Sequence, residues 1–120
     1  MIDASRLPFA AATEELLQLN GIDGSVALAN QAEGYRVRLS WQKEHFPSLL
    51  LWISNRGRRM APWNGRHLAL GMEPICSPFG LGPSTALADN PVAGSGTPTA
   101  RTFAAGEIFT TRYRIEAEPL

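Results

Sequence analysis

The sequence predicts an all-β protein built as an antiparallel β-sandwich, and three observations carry that prediction. Polar and apolar residues alternate strictly through 35–41, and 108–116 also alternates, the period of a strand with one wet and one buried face. Two short apolar runs, 48–54 and 67–73, are bounded by proline, glycine or asparagine, as strands inside a sheet are. Only one stretch has the makings of a helix.

That stretch is 13–21, Thr-Glu-Glu-Leu-Leu-Gln-Leu-Asn-Gly. Thr13 could cap a helix and Gly21 could stop it, but about two turns are marginal alone. A helix and an extended segment are both open there. Residues 25–30 alternate more weakly, and Gln31-Ala32-Glu33-Gly34 fits a hairpin connection to the next strand. In 35–41 the odd positions are Tyr35, Val37, Leu39 and Trp41, facing away from Arg36, Arg38 and Ser40.

The runs 48–54 and 67–73 suit central strands covered on both faces. From Pro74 to Ala104 the chain is mostly Gly, Pro, Ser, Thr and Ala, so 75–104 reads as a long loop region, a kind of segment that is often functional. Ala105-Gly106-Glu107 supplies a turn into the last strand. There Phe109, Thr111, Tyr113 and Ile115 share one face, in a run rich in β-branched and aromatic residues.

The 120 residues are read as a single domain, 1–120. A chain of this size buries only about two-thirds of its unfolded surface. Eleven basic and eleven acidic side chains balance, so no nucleic-acid partner is expected. Cys76 is the sole cysteine; an internal disulfide is excluded, which fits a reducing compartment. The start of the chain, Met1 to Arg6, lacks the basic-then-apolar pattern of a secretory signal. No run approaches the roughly 18 apolar residues of a membrane helix. A cytoplasmic protein without a membrane partner is the expectation.

Candidate chemistry gathers in the middle of the chain. Glu73 ends an apolar strand just before Pro74, and an apolar setting there would raise its pKa and make it a usable general base. The bland alternative is a loop carboxylate paired with an arginine. Trp41, Trp52 and Trp63 are sugar-stacking or core residues. Trp63 lies in the turn-rich Ala61-Pro62-Trp63-Asn64-Gly65-Arg66, where a packing role is least expected. His45 sits in a polar turn and reads as exposed. His67 opens the strand of Glu73; the period of two puts both on one face, though roughly 20 Å apart at about 3.3 Å per residue. The cluster Arg56, Arg58, Arg59 is a solvated turn or a site for an anionic group such as a sugar phosphate. Neither a metal cluster, a phosphate-cradling glycine loop nor a nucleophile elbow is present, so no metal or cofactor is expected.

The order of four pieces resembles the late part of the galactose mutarotase-like (aldose 1-epimerase) family. They are Phe46-Pro47-Ser48-Leu49-Leu50-Leu51-Trp52, Ala61-Pro62-Trp63, Leu70-Gly71-Met72-Glu73-Pro74, and Phe103-Ala104-Ala105-Gly106-Glu107 before an alternating strand. The resemblance covers about residues 34 to 118. It implies part of a large antiparallel supersandwich that binds an aldose in a groove on one sheet. It also implies that Glu73 takes the proton of the anomeric hydroxyl while Trp52, Trp63, Arg66 and His67 shape the sugar site. Full family members are far longer, and their acid histidine lies in an earlier half without a counterpart here. Three expectations follow: a truncated reading of a longer gene, a half that dimerises to complete the sandwich, or a module that binds sugar without turning it over. Because an isolated half exposes sheet edges, a homo-oligomer is expected.

Overall fold

The structure, a computed structural model, describes residues 3–120; Met1 and Ile2, part of the segment read for a leader, lie outside the described residues. Six strands form two antiparallel three-stranded sheets. Sheet I has the order β1 (Thr13–Asn20), β4 (Ser48–Asn55), β5 (Leu68–Ile75), and sheet II the order β2 (Ser25–Asn30), β3 (Tyr35–Trp41), β6 (Tyr113–Pro119). The protein is an all-β sandwich.

The segment 13–21 resolves to a strand. Thr13 through Asn20 pair in register with Asn55 through Ser48, so the neighbouring strand supplies hydrogen bonds that a two-turn helix could not match. The β2–β3 hairpin closes where expected, with Gly34 N–H bonded to Asn30 O at 2.9 Å. Gly34 has φ 71°, a backbone region that glycine enters without a Cβ clash.

Of the two apolar runs, only β4 is a central strand, and most of it is buried. Leu49 and Ile53 are buried on one of its faces, and Ser48, Leu50 and Ser54 on the other. The expectation for 67–73 is corrected. β5 is the edge of sheet I and only partly buried. It extends through Pro74 to Ile75, and Pro74, lacking an N–H, is tolerated at an edge but not inside a sheet. Glu73 therefore lies within the strand, opposite Leu50, instead of at its end.

The sheets meet through alternate side chains. Leu39 and Trp41 of sheet II and Leu49 of sheet I form the buried cluster, with Val26, Phe46, Leu51 and Met72 packed around it. Each fully buried leucine of this kind contributes about 1.5–3 kcal/mol. Trp41 is thus a core residue; its indole N–H donates to Phe46 O at 2.8 Å. Asn55, fully buried, donates to Phe9 O and Ala11 O and accepts from Phe9 N–H. This clamps the segment before β1 onto the end of β4.

The region 75–104 contains two short helices, α1 (Pro83–Leu87) and α2 (Pro91–Gly94). Asn90 caps α2 by accepting from Val92 N–H and Ala93 N–H. The region is tied to sheet I by Gln18, which donates to Ser77 O and accepts from Phe79 N–H. After the turn at 104–107, the last ladder begins at Tyr113 instead of near 108. Residues 108–112 serve packing first. Phe109 packs at a tilt against His45 and edge-to-face against Phe103, and Arg112 N–H donates to Gln42 Oε1 at 2.9 Å. His45, expected to be exposed, is half-buried against Phe109 and bonded through Nδ1 to Thr111 Oγ1 at 3.1 Å. No helix among the described residues is long and apolar enough to cross a membrane.

Candidate functional site

The face of sheet I turned away from sheet II carries the chemistry. In a strand, every second residue shares a face, and the register aligns three rows across the sheet. Glu14, Ser54 and Ala69 form one, Leu16, Trp52 and Gly71 the next, and Gln18, Leu50 and Glu73 the third. Trp52 is therefore central, with Glu14 on one side and Glu73 on the other. An open groove of about 480 Å³ runs over this face, lined by Glu14, Glu15, Leu16, Trp52, Arg58 and Glu73.

Gly71 makes room for the indole. A Cβ there would come 3.3 Å from Trp52 Cβ, 3.4 Å from its Cε3 and 2.8 Å from Glu73 Oε1. Both groove side chains thus lean over the one position in the row without a side chain.

The connection between β4 and β5 folds back to build a layered stack. Gly65 N–H bonds Arg58 O at 2.7 Å and Arg66 N–H bonds Trp63 O at 2.9 Å, closing a compact turn. The turn sets the Arg58 guanidinium 4.7 Å from the Trp52 ring centroid and 5.0 Å from that of Trp63. Arg58 is held between two indoles, an arrangement favoured by the negative ring faces. Its Nε lies 3.4 Å from Glu14 Oε2, and the Trp52 indole N–H donates to the same oxygen at 3.3 Å.

Beneath this stack runs a hydrogen-bond chain. Ser54, with no exposed surface, donates its hydroxyl to Glu14 Oε1 at 2.7 Å, and its Oγ lies 2.7 Å from His67 Nδ1. Burial pushes the Glu14 pKa up, but the bonds from Ser54, Trp52 and Arg58 outweigh it and hold the carboxyl below its ordinary value. An ionised Glu14 accepts the hydrogen bond of the serine hydroxyl, so in a neutral His67 it is Nδ1 that carries the hydrogen and donates to Ser54. Nε2 then presents its lone pair. The His67 ring also lies 5.8 Å from that of Trp52, tilted by 32°.

The predicted site residues divide accordingly. Trp52, Trp63, His67 and Glu73 gather around the groove or the stack beside it. Arg66 is exposed and contributes a backbone bond to the turn. Glu73 is exposed rather than set in an apolar enclosure. Within the arginine cluster, Arg58 is in the stack and Arg56 donates to Phe9 O at 3.0 Å. Glu14 and Ser54 escaped the sequence reading. Period-two reading of 13–20 would have put Glu14 on one face with Gln18, but the sequence carries no sign of the strand pairing that sets Glu14 against Ser54.

The described residues contain no group of three or more His, Cys, Asp or Glu able to hold a metal ion. Comparison of the chain with protein-family models, curated proteins and solved structures finds no match.

Proposed function

We propose that this chain is a carbohydrate-binding protein that takes a neutral sugar on the outer face of sheet I. The observation that carries this reading is the pairing of the Trp52–Arg58–Trp63 stack with the carboxylates of Glu14 and Glu73 in one open groove. Guanidinium N–H groups donate and carboxylates accept, which suits the vicinal hydroxyls of a pyranose. Since Arg58 covers the Trp52 ring, the sugar meets the edge of the layered stack beside the guanidinium. Charge selects the class of sugar. Glu14 and Glu73 share this face and Glu15 borders the groove, against Arg58, and this excess of carboxylate disfavours a sugar phosphate. The resemblance to mutarotases supports the same substrate class, and the lone free Cys76 is the ground for a cytoplasmic location.

Anomer interconversion is the second reading, favoured by the position of Glu73 beside Trp52 in the groove. Glu73 would accept the proton of the anomeric hydroxyl; His67 Nε2, bare of hydrogen in this tautomer, has none to give, so water in the open groove would protonate the ring oxygen and take back the proton that Glu73 holds. The groove's openness favours binding without turnover, because nothing in it excludes water from the reacting centre.

Tryptophan emission titrated with glucose, galactose and their 6-phosphates tests the binding reading. Neutral hexoses should shift the emission and Trp52→Ala should remove the shift; emission unmoved by every sugar would sink the proposal. One-dimensional proton NMR of freshly dissolved α-glucose and α-galactose separates the two readings. If the chain turns sugar over, it speeds approach to the anomeric equilibrium, and Glu73→Gln abolishes that gain while binding persists. No acceleration leaves the binding module.

A further inference from the structure

The free edge of β6 is a self-complementary surface, and we infer that two copies of this chain join there, β6 against β6, into one six-stranded antiparallel sheet. Three independent observations converge on it.

The first is surface area. The chain exposes 8411 Å², whereas a compact monomer of 13.0 kDa exposes roughly 6,300 Å². The excess of about 2,000 Å² exceeds the roughly 800 Å² that each partner buries in a standard interface. The radius of gyration agrees: 16.5 Å against about 13.6 Å for a compact 120-residue domain.

The second is where apolar surface lies. Every residue of β6 is exposed, with Tyr113 at 72% and Ile115 at 63% although both belong to the core-facing set. They border an apolar groove of about 390 Å³ that reaches Leu39, Trp41 and Met72 between the two sheets. The core-facing side of β6 is thus left uncovered.

The third fixes the register. Leu120 N–H donates to Gly34 O, so Leu120 belongs to the hydrogen-bonded set facing β3. By the alternation of an antiparallel ladder, Tyr113, Ile115 and Ala117 aim their N–H and C=O groups at the free edge. A two-fold axis at Ile115 sets Ile115 against itself and Tyr113 against the partner's Ala117, all bonding through those free groups. It also sets Arg114 against the partner's Glu116 and Arg112 against the partner's Glu118. A shift of the axis to residue 114 or 116 puts Arg114 on itself or Glu116 on itself, and like charges directly opposite are destabilising. In the single chain these charges make only exposed pairs, Arg114 with Glu116 at 2.8 Å and Arg36 with Glu118 at 3.3 Å, worth little in water. The other edges lack this pattern: β1 carries only the acidic Glu14 and Glu15, β5 carries Pro74, and β2 carries no charge at all.

Sedimentation equilibrium of the full chain tests the inference. The wild type should be a dimer at micromolar concentration. Arg114→Glu should weaken the dimer by about tenfold or more with an unchanged circular dichroism spectrum, and adding Glu116→Arg to it should restore the wild-type constant. If the single variant unfolds, the register is read by cross-linking. Ile115→Cys in a Cys76→Ser background should oxidise to a covalent dimer, since facing residues of a hydrogen-bonded pair lie about 5.5 Å apart, within disulfide reach. A monomeric wild type, a dimer indifferent to Arg114→Glu, or no cross-link through Ile115→Cys would each overturn it.

Discussion

Ser54 and His67 are joined by a 2.7 Å contact between the serine Oγ and the imidazole Nδ1. The same hydroxyl donates to Glu14 across the neighbouring strand at 2.7 Å. One fully buried oxygen thus connects the first strand of sheet I to the residue that opens the last. Three elements far apart in sequence are fixed relative to one another, and the orientation of the His67 ring beside Trp52 follows from that bond.

Ser54→Ala should therefore cost both stability and order at the groove. Removing the hydroxyl takes away the hydrogen bonds that join Ser54 to Glu14 Oε1 and His67 Nδ1, and a typical intramolecular hydrogen bond is worth about 0.5–1.5 kcal/mol. Urea unfolding should show a lowered midpoint with an unchanged slope. Nitrogen-15 spectra of the wild type should show His67 protonated at Nδ1 and bare at Nε2. A wild-type ring protonated at Nε2 alone would contradict the Glu14–Ser54–His67 assignment.

The Glu14 carboxyl provides a pH signature. Its folded pKa lies below the ordinary 4.5 because the bonds from Ser54, Trp52 and Arg58 prevail over burial. The folded state thus favours the ionised form. The resulting stabilisation is fully present above about pH 4.5 and is lost as pH falls through the lower folded value. Carbon-13 titration of the side-chain carboxyl should give a midpoint below 4.5, and Ser54→Ala should move it upward. A wild-type midpoint at or above 4.5 would show that the three donors do not act on it.

How far the sequence revealed this arrangement differs from element to element. β3 was legible because Tyr35 to Trp41 alternates without a break, and the β2–β3 turn because Gly34 has few other uses there. β1 was not, because Glu14-Glu15-Leu16-Leu17 satisfies a helix as well as a strand, and only pairing with β4 decides between them. β5 was read as central from its apolar run, although Pro74 already marked it as an edge. The alternation of β6 was plain, yet not where its ladder begins, since Phe109 and Arg112 are engaged by distant residues, His45 and Gln42. At the groove, period two puts His67 and Glu73 on one face, while the place of Trp52 beside Glu73 depends on the register of β4 with β5. Glu14, Ser54 and the sandwiching of Arg58 depend on strand register and on the fold of the 56–67 turn, neither of which is local.

Gly71→Ala probes the groove with the least disturbance to the rest of the sheet. Gly71 needs no unusual φ, so the effect comes from space alone. The added methyl meets Glu73 Oε1 at 2.8 Å and the Trp52 side chain at 3.3 and 3.4 Å. The carboxylate is the end of a flexible chain and swings aside, while the indole, held by Glu14 and Arg58, shifts by a few tenths of an ångström. Overpacking of this kind costs about 1–3 kcal/mol in a close-packed core, and less at an open groove. Tryptophan emission should change while sheet content by circular dichroism stays constant, and any sugar affinity should fall. Unchanged emission and affinity would show that Trp52 does not rest on Gly71.

Cys76 should be a slow thiol. It follows the last residue of β5, with Sγ 3.7 Å from Pro98 O. Burial raises its pKa above the ordinary 9.0, and the charge of Arg101 offsets this only in part. The thiolate is the reactive species, so at neutral pH the fraction able to react is smaller than in a free cysteine. Alkylation by iodoacetamide, followed by mass spectrometry across a pH series, should give a midpoint above 9.0 in the native protein and a return toward it in urea. Arg101→Ala should push the native midpoint higher still by removing the one charge that favours the thiolate. A native midpoint below 9.0 would mean that Arg101 governs the thiol and burial does not. In that case the 75–104 region must stand further from β5 than the Cys76–Pro98 contact requires.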